Sequence, residues 1–435
     1  MSTTAQSFMQ FITNAPTAFQ ATRQFAARLD AEGFLSLNET QPWQIAPGGK
    51  YYVTRNQSSI IAFTVPEKGF THFQIVASHS DSPMFKLKPA WELDGCGHYV
   101  RLNVERYGGI LLAPWFDRPL SIAGRVLVKT GSGIVTRLVD LGRDAVLIPN
   151  LPIHFNREVN DGYKYNPQVD TLPVYGDARA KGGLIREIAG LAGAEPEDIV
   201  GTDLFVYNRA PGAVWGANGE FFSCPRIDDL ECAWTSMEAF IASGVGPAIN
   251  VCAVFDNEEV GSSTKQGANS TFLQDVFARV GLALGVSDGQ IRAAVSASFM
   301  VSADNAHAVH PNHPEKYDEG NRTWMNGGVV VKHSAGQKYT TDGVSRAIFA
   351  LLCEKAGVPV QEFANRSDIL GGSTLGNIAN THASMNTVDI GLAQLAMHSC
   401  YETAGTADPD YMIAALHAFW ETEVRMQADG AFALM

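Results

Sequence analysis

Hydrophobic and polar positions along this chain repeat with two different periods, and the places where the period changes divide it. Apolar residues recur at helical spacing from about Thr4 to Thr13 and from Pro16 to Ala31, the second segment with Asn14 as a cap and Gly33 as a stop. His72–Ser78 is a short apolar run of strand length that ends on His79-Ser-Asp81. From about Ala90 to Ser223 the texture becomes two-residue alternation, in Tyr99–Glu105 and in Ile122–Lys129, which leads through Thr-Gly-Ser-Gly133 into Ile134–Leu141 as a hairpin. After Cys224 helix and strand patterns alternate: helices over Leu230–Ser243, Ser270–Leu284 and Thr341–Ala356, strands over Ile249–Phe255 and Ala293–Val301. Apolar strands alternating with helices predict an α/β fold whose sheet is covered on both faces. The expected organisation is one α/β domain in two parts, residues 1–89 and 224–435, with a β-rich domain of residues 90–223 inserted between them. No internal repeat or low-complexity linker marks the joins.

Composition narrows the function classes. With 435 residues and 46% hydrophobic content the chain can build two or three cores. No apolar stretch is long enough to span a bilayer, and MSTTAQSFMQFITNAPTAF lacks the pattern of a secretory signal, so a cytoplasmic protein is expected. Six cysteines without a C-x-x-C pair suggest neither a disulfide framework nor a cysteine zinc site. A formal charge of -13 and the lack of a Lys/Arg block argue against nucleic acid as a partner.

The chemistry collects at strand ends. VFDNEEVGSS, residues 254–263, closes an apolar strand with Asp256, Glu258 and Glu259. Carboxylates this close repel and lose water, so a bound cation or a solvated loop must compensate them. His79 and Asp81 follow one strand, Glu258 and Glu259 another, and Asp304 a third; Asp228 precedes a helix, and His398 lies near the end of the chain. In open α/β sheets, ligands gather beyond the carboxyl ends of strands. Residues two apart on an extended chain face the same side, so Asp81 can hold one imidazole nitrogen of His79 and leave the other for a metal. Where the chain bends after its strand, one of Glu258 and Glu259 can coordinate while the other takes a proton from water.

The motifs ASHSDSP (77–83), WFDRPLSIAGRV (115–126), IPNLPIHFNR (148–157), PRIDD (225–229), DNEEVGS (256–262), SADNAHAVHPN (302–312) and AMHS (396–399) occur in one order across nearly the whole chain. In this series the sequence resembles the aspartyl aminopeptidase family of cocatalytic zinc exopeptidases. The resemblance implies that His79 and Asp304 bind one metal and Glu259 and His398 the other, with Asp228 bridging, Glu258 as general base and Asp81 as the partner of His79. It also implies a cis peptide between Asp228 and Asp229. Two divalent ions facing three carboxylates and two neutral imidazoles leave about one unit of positive charge. The mixed ligands suit Zn2+, although Co2+ or Mn2+ would also bind.

The expected substrates are peptides with an N-terminal Asp or Glu. The resemblance assigns Lys332 and His307 to the acidic side chain and Tyr339 to the region of the scissile carbonyl. The inserted domain would build dimers that assemble into a dodecamer, with His154 reaching a neighbour's active site; Asn150 in IPNLPIH departs from the histidine of many relatives. The Gly371–Gly376 loop either offers N–H groups to substrate or is a tight turn. Three rivals remain open on the residues: another two-metal hydrolase, whether a carboxypeptidase, a deacylase or an aminopeptidase of different preference; a serine enzyme using Ser262-Ser-Thr-Lys265; and an assembly or peptide-binding protein whose site is structural or vestigial.

Overall fold

A computed structural model of the chain describes residues 3–435. Its main sheet has nine strands in the order Leu35–Leu37, Lys50–Arg55, Ser59–Thr64, Ile249–Phe255, Phe73–His79, Phe299–Ala303, Asn386–Gly391, Val329–His333, Val360–Ala364. The central run Ile249–Phe255, Phe73–His79, Phe299–Ala303 and Asn386–Gly391 is parallel. Phe73–His79 and Ile249–Phe255 are buried at every residue, which is why they read as continuous apolar runs.

Alternate residues of these strands feed two cores. Val76, Cys252, Val254 and Val301 meet the helices Ile227–Ser243 and Asp408–Glu421, where the rings of Phe240 and Trp420 lie 5.3 Å apart. Ile75, Ala77, Val251 and Ala253 meet Phe272–Ala283 on the other face, where Phe73 stacks on Phe277 at 4.2 Å. The fold is therefore α/β with a doubly covered sheet, as expected.

A second, six-stranded antiparallel sheet runs in the order Gly133–Asp140, Ser121–Thr130, Ile199–Tyr207, Met84–Gly95, Tyr99–Tyr107, Val174–Asp177 around its own core. The expected hairpin is present, with Val128 opposite Val135. Met84 pairs with Tyr107, so the chain leaves the end of strand Phe73–His79, makes one excursion and returns to the same place. A five-stranded sheet joins Ala213–Trp215, Phe221–Cys224, Glu402–Gly405, Ala393–Leu395 and Ala306–His307.

Two expectations are corrected. Ala293–Val301 is not one strand: Asp288–Ser296 is helical and the strand starts at Phe299. Ser287 and Gln290 close a reciprocal capping box, and Ile291 and Ala294 face the core three residues apart, so helix prevails over the apolar run. Asn14 ends the first helix, Thr3–Asn14, and Thr17 is the residue that precedes Ala18–Ala31. Among the described residues no helix is long and apolar enough to cross a membrane, and all six cysteines are unpaired.

Candidate metal centre

Three neighbouring strand ends supply most of the site. His79 closes Phe73–His79, Glu258 and Glu259 occupy the turn after Ile249–Phe255, and Asp304 follows Phe299–Ala303. Asp228 enters from the start of helix Ile227–Ser243, where it and Asp229 depart from helical geometry and share a cis peptide, as expected. His398 comes from a turn after Ala393–Leu395 in which Ala396 and His398 both have positive φ.

These side chains fall into two groups with ligand atoms within 4.8 Å of one another: His79, Asp228, Asp229 and Asp304; and Asp228, Glu259 and His398. Asp228 belongs to both. Its Oδ1 is 3.5 Å from His79 Nε2 and its Oδ2 is 3.4 Å from His398 Nε2. Asp304 Oδ1 approaches His79 Nε2 at 3.7 Å, and Glu259 Oε2 approaches His398 Nε2 at 3.4 Å. The far nitrogens are held from behind. His79 Nδ1 lies 3.1 Å from Asp81 O and 3.3 Å from Asp81 Oδ1, and His398 Nδ1 lies 2.9 Å from Gly109 O. Each imidazole thus turns Nε2 toward the shared aspartate, the orientation a metal-binding histidine needs.

Asp229 differs from the others in its group. Its oxygens accept the backbone N–H groups of His79 and Asn305, so it ties two strand ends together. Glu402, fully buried, likewise accepts from Asp228 N at 3.1 Å and His398 N at 2.7 Å. The role of Asp229 has no local sequence signal, because its partners lie 150 and 76 residues away; Glu402 has His398 four residues before it but meets Asp228 only across 174 residues.

The electrostatics favour a cation. Burial pushes Glu258 up to about 8, with Asp304, Asp81 and Asp228 adding to the effect against His79. Burial, then Asp228, raises Glu259. Burial opposes a charge on His398, yet Asp228 and Glu259 hold it up at about 10. At His79 burial is likewise outweighed, by Asp229, Asp228, Asp304 and Asp81. Asp228 is buried too, but the two imidazoles keep it far below the usual carboxylate range. Asp228 Oδ1 and Glu259 Oε1 are buried with no hydrogen-bond partner. Orphaned carboxylate oxygens beside aimed imidazoles form an N/O donor set that fits zinc.

The groups open on a cleft of about 360 Å³ lined by Glu258, His307, Lys332, Tyr339 and the 372–374 backbone. Lys332 is 3% exposed, its ammonium 3.5 Å from Asp304 Oδ2 and 5.5 Å from the centre of the Tyr339 ring. Desolvation in the cleft, then the Lys332 ammonium, lower the basicity of His307. His154 is not brought to this cleft; it is exposed on the short turn Ile153–Phe155. Ser262 is fully buried while Lys265 is exposed, so the serine-enzyme alternative has no reachable nucleophile.

A doubly covered sheet with a buried His/Asp/Glu cluster beside its strand ends has the arrangement expected of a metal-dependent enzyme. The family description "Aminopeptidase I zinc metalloprotease (M18)" matches residues 11–420. A probable M18 family aminopeptidase 2 of Clostridium acetobutylicum is 44% identical over 425 residues, covering 96% of this chain and 98% of the relative. Among solved structures, Ape4 in its complex with Nbr1 superposes with a TM-score of 0.93 at 33% identity, over 96% of this chain and 85% of that one. The yeast mApe1 dodecamer gives 0.83 at 28% identity, with 96% of each chain covered. The chain belongs to the M18 family and is a metal-dependent aminopeptidase.

Proposed function

We propose that the enzyme removes an acidic residue from the N-terminus of peptides by means of two divalent ions, most naturally zinc. His79 and Asp304 would hold one ion, Glu259 and His398 the other, and Asp228 both. The observation that carries this reading is the placing of the Asp228 oxygens, one toward each imidazole. Such ions, when bound, supply acidified water and polarisation of the scissile carbonyl.

The chain's own groups supply the rest. Glu258 lines the cleft outside both ligand groups, which suits a base that takes a proton from water and passes it to the leaving amine. Asp81 accepts the N–H groups of Glu258 and Glu259 and fixes the turn that separates their roles. Lys332 and His307 put a buried ammonium and an imidazole on one side of the cleft, complementary to a substrate carboxylate, and Tyr339 packs beside them.

The strands between Met84 and Tyr207 fall largely in the span 90–223 read as an inserted assembly domain between 1–89 and 224–435, with Met84–Gly95 starting six residues before it. Leu151, Ile153 and Phe155 expose apolar surface around His154, which supports contact between copies and a His154 that serves a neighbour's cleft. The mApe1 relative supports a dodecamer. Six unpaired thiols fit a reducing cytoplasm.

Chromogenic amides of different N-terminal residues, assayed with zinc and after chelation, test the reading. Asp and Glu amides are expected to exceed Ala and Leu amides in kcat/KM by at least about tenfold, the scale of one desolvated ion pair. N-acetylated substrates should be inert. Cleavage of blocked substrates would instead favour a deacylase or carboxypeptidase.

A further inference from the structure

The second sheet reaches into the metal centre through three consecutive residues. Tyr107 ends strand Tyr99–Tyr107 and donates its hydroxyl to Asp81 Oδ2 at 2.6 Å. The same hydroxyl accepts from Asn257 Nδ2 at 2.8 Å, immediately before Glu258 and Glu259. Its ring is braced edge-to-face against Phe205 of the same sheet, 5.7 Å between centroids. Gly108 follows with φ of +75°, and a Cβ there would lie 3.1 Å from the Cβ of Glu259. Gly109 then accepts at its carbonyl from His398 Nδ1, and a Cβ on it would lie 3.1 Å from that nitrogen. Leu111 N adds a bond to His398 O.

We propose that Tyr107-Gly108-Gly109 is a positioning segment through which the antiparallel sheet sets the ligand geometry of both halves of the centre. The inference rests on the two-ion reading. Tyr107 acts on His79 through Asp81, whose carboxylate also holds the turn of Glu258 and Glu259. Gly109 acts on His398 directly, holding the hydrogen on Nδ1 so that Nε2 stays free for a metal. The two glycines are small because the ligand side chains occupy the space a Cβ would take.

Zinc affinity, measured by chelator competition on the full-length protein, separates this from a purely structural role. Tyr107→Phe keeps the ring and removes one hydroxyl; because Asp81 supports both His79 and the turn of Glu259, it is expected to weaken zinc binding at both positions by about tenfold, the low end of the effect of losing a metal ligand's supporting partner. Gly109→Ala, which touches His398 alone, should weaken one zinc to a similar extent. Glu105→Gln, on an exposed position of the same strand, should bind as wild type. Chelator-treated Tyr107→Phe and wild type should melt together. Wild-type affinity in Tyr107→Phe, or equal weakening in Glu105→Gln, overturns the proposal. A wild-type protein that takes up fewer than two zinc ions instead overturns the two-ion reading, while the effect of Tyr107→Phe on whatever zinc is bound still decides the positioning role.

Discussion

Glu258 gives its backbone N–H to Asp81 while its carboxyl faces the cleft, so Glu258→Gln removes the proposed base and keeps the N–H that fixes the turn. Turnover should fall by at least about two orders of magnitude, the scale of general-base loss, with zinc content unchanged by metal analysis. Lys332→Met keeps much of the buried volume and removes the ammonium. The expected result is a fall of about tenfold or more in kcat/KM for acidic N-terminal residues, with little change for neutral ones. Loss on both substrate classes alike would sink the recognition role. His79, Glu259 and Asp304 stood out in the sequence because a polar residue closing an apolar strand leaves a local mark, whereas Asp228 and His398 came with the motif series; the structure brings all five side chains together. Asp229, Glu402, Tyr107 and Gly109 did not stand out. Apart from the bond between Glu402 and His398, four residues apart, they accept or donate hydrogen bonds to groups of the centre 26 to 289 residues away in the chain, and no spacing rule encodes such a partner.

Among the elements, the buried central strands were plain from their apolar runs, whereas Asp288–Ser296 was not, because Ala and Val carry too little contrast to fix a period. Its capping box was the readable sign. Ser287→Ala should cost about 1 kcal/mol and accelerate amide hydrogen exchange along that helix, leaving the strand Phe299–Ala303 protected. Phe240 lies fully buried between helix Asp408–Glu421 and the main sheet. Phe240→Ala should destabilise the molecule by about 3–5 kcal/mol, seen as a lower denaturation midpoint. An unshifted midpoint would mean that this core does not limit unfolding.

For the molecule as a whole, the centre makes stability depend on pH and metal together. Glu258 and Glu402, each pushed up to about 8, and His398, held at about 10, bind more protons folded than unfolded. Groups raised in this way stabilise the fold while protonated and lose that contribution as pH rises through the folded value. The chelator-treated protein is therefore expected to lose melting temperature from about pH 5 to pH 8 through the two glutamates, and onward to about pH 10 through His398. Zinc competes with those protons, so the rise in melting temperature on adding zinc should grow over the same range. A zinc effect that shrinks with rising pH would contradict this charge balance.

The side chains gathered around Asp228 begin at residue 79 and end at residue 398. On the proposed ligand set, a polypeptide clipped before His398 lacks one of the five side chains and should be inert rather than weakly active. A copy still being made would then have no activity until that histidine is in place.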